Sequence, residues 1–88
     1  MTSYKIIVSG KVQGVYYRKT IKENALKLGY KGYVKNLSNG NVEVAVMLNE
    51  ANYDKFINIL KKGSSYSKVT NLQITKSNET HTSFSIRY

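Results

Sequence analysis

Two stretches of the chain repeat apolar residues at the spacing of an α-helix. The first begins at Tyr16 or Tyr17 and ends at Leu28, and the second begins near Asn49 and stops before Gly63. We expect each helix to bury one face against the rest of the domain. The predicted buried positions are Tyr17, Ile21, Ala25 and Leu28 in the first helix and Tyr53, Phe56, Ile57 and Leu60 in the second.

Alternation of apolar and polar residues predicts β-strands before, between and after these helices. The pair Asn39-Gly40 is a strong hairpin signal, because both residues tolerate the positive φ angles of a tight turn. A polar stretch at residues 77–82 separates the last two strands. The strands are predicted at residues 4–9, 31–37, 42–48, 69–75 and 84–88.

The order of the elements predicts an α+β fold. The succession β-α-β-β-α-β, followed by a short terminal strand, is that of the ferredoxin-like split β-α-β sandwich. Because β-α-β crossovers are right-handed, both helices should lie on one face of an antiparallel sheet.

Length and composition fit one small globular domain. The 88 residues, 41% of them hydrophobic, predict a single domain over residues 1–88. No apolar run approaches the roughly 20 residues that cross a bilayer. Nothing near the N-terminus resembles a signal peptide. We therefore expect a cytoplasmic monomer with no membrane partner. The absence of cysteine excludes disulfides and thiolate metal ligands.

The charge of the chain favours anionic partners. The net charge is +9, and Arg18 and Arg87 are the only arginines among fourteen basic residues. An excess of this size suits small phosphorylated molecules, and charge alone also leaves nucleic acid open. Lysines scattered over both helices are equally typical of a solvated surface.

A loop between the first strand and the first helix has the features of an anion site. Residues 10–18 run Gly-Lys-Val-Gln-Gly-Val-Tyr-Tyr-Arg into the helix N-terminus, where backbone N–H groups converge and the helix dipole is positive. Arg18 adds a planar fork that can bind two phosphate oxygens. Taken alone, the two glycines would favour a simple turn. The predicted phosphate-binding residues are Gln13, Gly14, Val15, Tyr16, Tyr17 and Arg18.

A second motif strengthens this interpretation. Residues 32–43 run Gly-Tyr-Val-Lys-Asn-Leu-Ser-Asn-Gly-Asn-Val-Glu. Together with residues 10–18, this segment closely resembles the acylphosphatase family, whose motifs are G-x-V-Q-G-V-x-[FY]-R and G-[FY]-V-x-N-x-x-x-G-x-V-E. The resemblance covers the whole chain, and two long motifs in order make it specific.

The resemblance implies a hydrolase that splits acyl phosphates into carboxylate and phosphate without a cofactor or a metal ion. In that family the arginine and the asparagine at the positions of Arg18 and Asn36 are catalytic. We expect Arg18 to clamp the phosphoryl group and Asn36 to orient the attacking water. Inorganic phosphate and sulfate should compete for the same loop. Taken alone, Asn36 would fit better at the start of the turn before Asn39-Gly40, and the pairing with the loop motif favours the catalytic role.

Two tyrosines and the single histidine receive weaker assignments. Tyr17 fits the buried face of the helix, so we expect packing, whereas Tyr16 fits either the site or the surface. His81 is expected to be an exposed turn residue. One histidine forms neither a metal site nor a triad, and no acidic residues are closely paired within the motifs.

The sequence departs from the family after its third strand and its second helix. Met47-Leu48 replaces an acidic or amide residue followed by glycine, and Gly63-Ser64 replaces the frequent glycine-proline. A lysine-rich surface replaces a more balanced one. These changes affect loop geometry and acyl-group preference and leave Arg18 and Asn36 in place.

The main alternative is an RNA-binding module of the same fold class. Such modules stack bases on aromatic residues of the open sheet face, and Lys31-Gly32-Tyr33-Val34 loosely resembles the opening of their signature. The aromatic spacing fails after Val34, and such a module needs no anion loop at the first helix. A third and weaker alternative is a domain of a larger hydrogenase-maturation or carbamoyl-phosphate-handling protein.

Overall fold

The computed structural model describes all 88 residues, from Met1 to Tyr88. Five strands, two α-helices and one short 3-10 turn at Glu50–Asn52 make up the chain. In chain order the elements are β1 (Thr2–Lys11), α1 (Tyr17–Leu28), β2 (Lys31–Asn36), β3 (Val42–Leu48), α2 (Tyr53–Lys62), β4 (Lys68–Ser77) and β5 (Phe84–Arg87).

The strands form one mixed sheet in the order β4-β1-β3-β2-β5. The pairs β1–β3, β1–β4 and β2–β3 are antiparallel, as expected for the ferredoxin-like fold. The terminal strand differs from the expected antiparallel sheet, because β5 pairs in parallel with β2, with Gly32 opposite Phe84. Residues 78–83 carry the chain from β4 at one edge to β5 at the other, which sets the direction of β5.

Both helices share one core with one face of the sheet. Alternate residues of β1 and β3, such as Ile6 and Val44, are fully buried against Ile21 of α1 and Phe56 of α2. Fully burying such side chains stabilises the fold by roughly 1.5–3 kcal/mol each. The core therefore fixes α1, and the loop that precedes it, against the sheet.

The ends of both helices differ in detail from the predictions. Leu28 is exposed, and the buried apolar residue at this end of α1 is Tyr30, whose ring packs edge-on against Phe56 at 5.5 Å between centroids. Asn49 does act as a cap, but of the 3-10 turn, where its side chain accepts a hydrogen bond from the backbone N–H of Asn52. The helix α2 therefore begins at Tyr53, later than expected.

The strand β1 is longer than predicted because it contains a bulge. The register against β4 shifts between Ser9 and Gly10, and the strand continues to Lys11. A Cβ atom on Gly10, at φ 123°, would lie 2.1 Å from the main-chain oxygen of Lys68. Only glycine fits this close approach, which turns the chain toward α1.

The last strand is shorter than predicted. It ends at Arg87, and Tyr88 lies outside it with its side chain exposed. Neither helix has the length and apolar character needed to cross a membrane.

Candidate active site

The loop that joins β1 to α1 is anchored by two buried valines. Val12 and Val15 lie in the core. Gly14 between them is exposed, and a Cβ atom at this position would have no neighbouring atom within 4 Å. Gly14 and Tyr16 have φ angles of 71° and 62°, so the loop twice enters the left-handed region before α1 begins at Tyr17. Alternation of this kind gathers backbone N–H groups into a concave anion-binding surface.

The side chain of Gln13 ties this loop to the β2–β3 hairpin. Its Nε2 donates to the main-chain oxygens of Leu37 and Asn41, both at 2.8 Å. The loop and the end of β2 are thereby held together. The sequence predicted Gln13 only as a backbone ligand, since nothing local indicates contacts 24 and 28 residues away.

Arg18 is half-buried in the first turn of α1. Its guanidinium donates one hydrogen bond, of 3.2 Å, to the main-chain oxygen of Arg87, and its Cζ lies 4.9 Å from the centroid of the Tyr88 ring. No carboxylate pairs with it, since the single ion pair in the chain joins Lys5 to Glu79. The remaining guanidinium donors are free to bind an anion in the cleft.

Asn36 is the last residue of β2. Its Oδ1 is buried and has no hydrogen-bond partner within the protein. The hairpin turn is closed by other groups, since the N–H of Leu37 donates to the oxygen of Asn41 and the N–H of Asn41 donates to Oδ1 of Asn39. The side chain of Asn36 therefore takes no part in the turn, in contrast to the alternative that the sequence left open.

A cleft of about 500 Å³ brings most of these residues together. Its size falls in the range of roughly 300–1,000 Å³ that is typical of small-molecule sites. Gln13 and Val15 do not line it, because one reaches toward the hairpin and the other toward the core. The lining residues are Val12, Gly14, Tyr16, Tyr17, Arg18, Lys19, Asn36, Ile86 and Tyr88.

Four lining residues were not predicted as site residues from the sequence, and one of them, Val12, belongs to the loop itself. Lys19 follows Arg18 on α1, and Ile86 and Tyr88 come from the C-terminal segment. That segment reaches the cleft because β5 lies beside β2, a parallel pairing that the alternation pattern does not reveal. The cleft is positive, since its lining has two basic side chains and no acidic one.

Tyr17 is a packing residue, as predicted. Its side chain is 1% exposed, and its hydroxyl donates to the main-chain oxygen of Leu60 at 2.8 Å. Burial raises the pKa of Tyr17 well above its usual range. The phenol therefore stays neutral and joins α1 to α2 instead of acting as an acid or base.

The sequence predicted an exposed turn residue at His81, but the structure shows that this side chain is partly buried. Residues 78–83 cross the sheet face opposite the helices, and the His81 ring packs edge-on against Tyr33 at 5.6 Å between centroids. The backbone N–H of His81 also donates to the sulfur of Met47. The polar residues around His81 predicted an exposed turn, but the segment of residues 78–83 packs against the sheet and partly buries the histidine.

The RNA-binding alternative needs the ring of Tyr33 to be free, but Arg87 and His81 already contact it. Tyr33 is 3% exposed, its ring lies 3.9 Å from the guanidinium carbon of Arg87, and its hydroxyl donates to Glu43 at 2.8 Å. Burial, together with the bond to Glu43, raises the pKa of Tyr33. A base could not stack on this ring without displacing Arg87 and His81.

No group of three or more histidine, aspartate or glutamate side chains is arranged to hold a metal ion. The polar groups that line the cleft include the backbone of the loop, the side chains of Arg18 and Lys19, and the amide of Asn36. The cleft lies at the N-terminus of α1, a position at which proteins commonly bind small anions.

Comparison with known proteins identifies the family. The model of the acylphosphatase family matches residues 4–86, and the chain belongs to that family. An acylphosphatase of Clostridium beijerinckii is 43% identical over 84% of this chain and 82% of its own. The crystal structure of acylphosphatase from Bacillus subtilis is 40% identical, covers both chains completely and superimposes with a TM-score of 0.92.

The same fold also occurs inside a larger protein. HypF from T. kodakarensis superimposes with a TM-score of 0.85 at 26% identity, over all of this chain and 12% of that one.

Proposed function

We propose that this protein hydrolyses the carboxyl-phosphate bond of acyl phosphates, giving a carboxylate and inorganic phosphate. The observation that carries the proposal is the cleft in which Arg18 lies with Asn36, in a chain of the acylphosphatase family. Each residue then has a separate task, which follows from the groups that it presents to the cleft.

The phosphoryl group binds at the N-terminal end of α1. In this proposal the backbone N–H groups of residues 13–18 donate to the phosphoryl oxygens, and the helix dipole adds positive potential. Arg18 contributes a second set of donors, which strengthen their bonds as negative charge moves onto the transferred oxygens. Because Gly14 has no side chain, the phosphate oxygens can approach the backbone closely.

Asn36 orients the attacking water. Its Oδ1 lacks a hydrogen-bond partner within the protein and its side chain lines the cleft, so the amide is free to bind a water molecule there. The water oxygen attacks phosphorus as the bond between phosphorus and the carboxyl oxygen breaks. An amide is a weak base, so the proton of the water passes to an oxygen of the phosphoryl group itself.

This reaction suits a cleft without carboxylates. The leaving group of an acyl phosphate is a carboxylate, which departs without protonation. Catalysis then depends on positioning and on charge stabilisation, which backbone donors, one arginine and one amide supply.

The test is hydrolysis of benzoyl phosphate, followed by the loss of its ultraviolet absorbance. We expect turnover that is unaffected by a metal chelator, with phenyl phosphate left intact because its phenolate is a poorer leaving group. Absence of turnover would contradict the proposal. A rate that collapses with chelator and returns with magnesium would contradict the metal-independent mechanism.

Further properties are proposed on the same basis. Inorganic phosphate and sulfate bind the loop as competing anions, which competitive inhibition by each would support. The protein acts as one domain over residues 1–88, as a monomer and in the cytoplasm. Size-exclusion chromatography with light scattering and cell fractionation test the last two.

A further inference from the structure

The phosphate loop contains a tyrosine in a backbone conformation that tyrosine rarely adopts. Tyr16 has φ 62° and ψ 18°, and it is the only residue other than glycine with a positive φ. The left-handed region strains any residue that carries a Cβ atom, whereas glycine adopts it freely. Such strain is typical of positions at which the side chain itself has a function.

The ring of Tyr16 stands at the mouth of the cleft. It is 69% exposed, so it contributes little to the core, and it lines the cleft together with Gly14 and Arg18. Behind it lies the ring of Tyr66, which is 68% exposed, with the two centroids 6.1 Å apart and the rings tilted by 53°. The pair forms an aromatic wall beside the predicted phosphate site.

A hydrogen-bonded loop holds Tyr66 in this position. The hydroxyl of Ser64 donates to the main-chain oxygen of Val15, inside the phosphate loop. In the loop after α2, the N–H of Ser64 donates to Oγ of Ser67 at 2.9 Å, and the Ser67 hydroxyl donates back to the main-chain oxygen of Ser64 at 3.0 Å. Proline, frequent in the family after this glycine, has no hydroxyl to make the bond to Val15.

A second aromatic wall closes another side of the cleft. Tyr88 is almost fully exposed, yet its ring lies 4.9 Å from the guanidinium carbon of Arg18. Ile86 adds an apolar surface between β2 and the cleft. The cleft therefore combines two exposed aromatic side chains, Tyr16 and Tyr88, with the predicted anion-binding groups of the loop and Arg18.

We infer that Tyr16, supported by Tyr66, selects acyl phosphates whose acyl group is flat and aromatic over those with small aliphatic groups. The inference rests on the proposed function. With the phosphoryl group at the loop, the acyl group projects past Tyr16. A flat ring gains stacking and edge contacts there, whereas a methyl group has little surface to bury.

The test uses Tyr16→Gly, which removes the ring and suits the observed φ. We expect kcat/KM for benzoyl phosphate, relative to acetyl phosphate, to fall roughly 2- to 10-fold, mainly through KM. Tyr66→Ala should lower the same ratio by less, because it removes only the support of the Tyr16 ring. The melting temperature of Tyr16→Gly should not fall, since the strained conformation is relieved.

A matched control is Tyr53→Ala, which removes a ring outside the cleft. Tyr53 packs against Tyr4 at 5.1 Å between centroids, so its loss should lower the melting temperature without changing the substrate ratio. An unchanged ratio in Tyr16→Gly, or an equal loss for both substrates, overturns the role of Tyr16 in acyl selection. Wild-type protein that hydrolyses neither substrate overturns the proposed function and this inference with it.

Discussion

The strand β2 carries two polar residues whose surroundings differ completely. Tyr33, in the middle of the strand, donates to Glu43 and has its ring enclosed by Arg87 and His81. Asn36, at the end of the strand, has a buried oxygen with no partner. Because buried polar groups in proteins are nearly always hydrogen-bonded, the satisfied residue is structural and the unpartnered one is suited to a ligand.

The two arginines repeat this contrast. The guanidinium carbon of Arg87 lies over the Tyr33 ring, 3.9 Å from its centroid, on the face that residues 78–83 cross. Arg18 makes one hydrogen bond to a main-chain oxygen and has no acidic partner. The cleft at the N-terminus of α1 therefore keeps most Arg18 donors and the Asn36 oxygen without protein partners, while Arg87 and Tyr33 pair with each other on the opposite face of the sheet.

Arg18→Ala should show the largest effect on activity. Loss of the guanidinium removes charge stabilisation from the transferred phosphoryl group, so we expect turnover of benzoyl phosphate to fall roughly 10³-fold or more. The melting temperature should change little, because the side chain is half-buried and makes one hydrogen bond. Arg18→Lys should restore little activity, since an ammonium group cannot bind two oxygens side by side. A lysine variant with nearly wild-type turnover would show that charge alone suffices.

Asn36→Ala separates binding from chemistry. If the amide orients water, its removal should lower kcat roughly 10²-fold, while the inhibition constant of phosphate stays near its wild-type value. The free energy of unfolding should hardly change, because Oδ1 has no partner to lose. Intact turnover with a lowered melting temperature would instead show that Asn36 has a structural role.

Gln13→Ala tests the connection between the two halves of the cleft. The variant loses two hydrogen bonds to the hairpin, so we expect a loss of about 1–3 kcal/mol in the free energy of unfolding, measured by urea denaturation. Activity should fall less than in Asn36→Ala, because the loop remains anchored by Val12 and Val15. A loss of activity without a loss of stability would instead assign the Gln13 side chain to the substrate.

The sequence predicted the ferredoxin-like fold because periodicity records which side of each element is buried. Alternation along β1 and β3 and the helical spacing of Tyr17, Ile21 and Ala25 are local patterns. The parallel β5 and the path of residues 78–83 depend on pairing between distant segments. Periodicity therefore could not show that His81 is covered.

The site was predictable to a similar extent. The loop and Arg18 are contiguous, so one motif brings them to the α1 N-terminus, and the family resemblance singled out Asn36. Ile86 and Tyr88 reach the cleft only through the parallel strand, and the side-chain bonds of Gln13 span two motifs. Such contacts become visible only once the sheet order is known.

Tyr33→Phe is expected to have the smallest effect, and on stability alone. It removes the hydrogen bond to Glu43, which should cost about 1–2 kcal/mol at neutral pH and leave turnover unchanged. The folded-state pKa of Tyr33 is raised above the unfolded value of about 10, so the unfolded chain loses this proton first as pH rises. The stability contribution of this proton is complete below about pH 10 and is lost above it.

Urea denaturation at about pH 8 and about pH 11 measures this loss in both proteins. Wild type should lose more stability between the two values than Tyr33→Phe, in which only Tyr17 and Tyr30 keep raised tyrosine pKa values. Lysine deprotonation is common to both proteins and cancels in the difference. Equal losses would mean that Tyr33 ionises as readily in the folded protein as in the unfolded chain. A loss of turnover would show that the hydrogen bond from Tyr33 to Glu43 also supports catalysis.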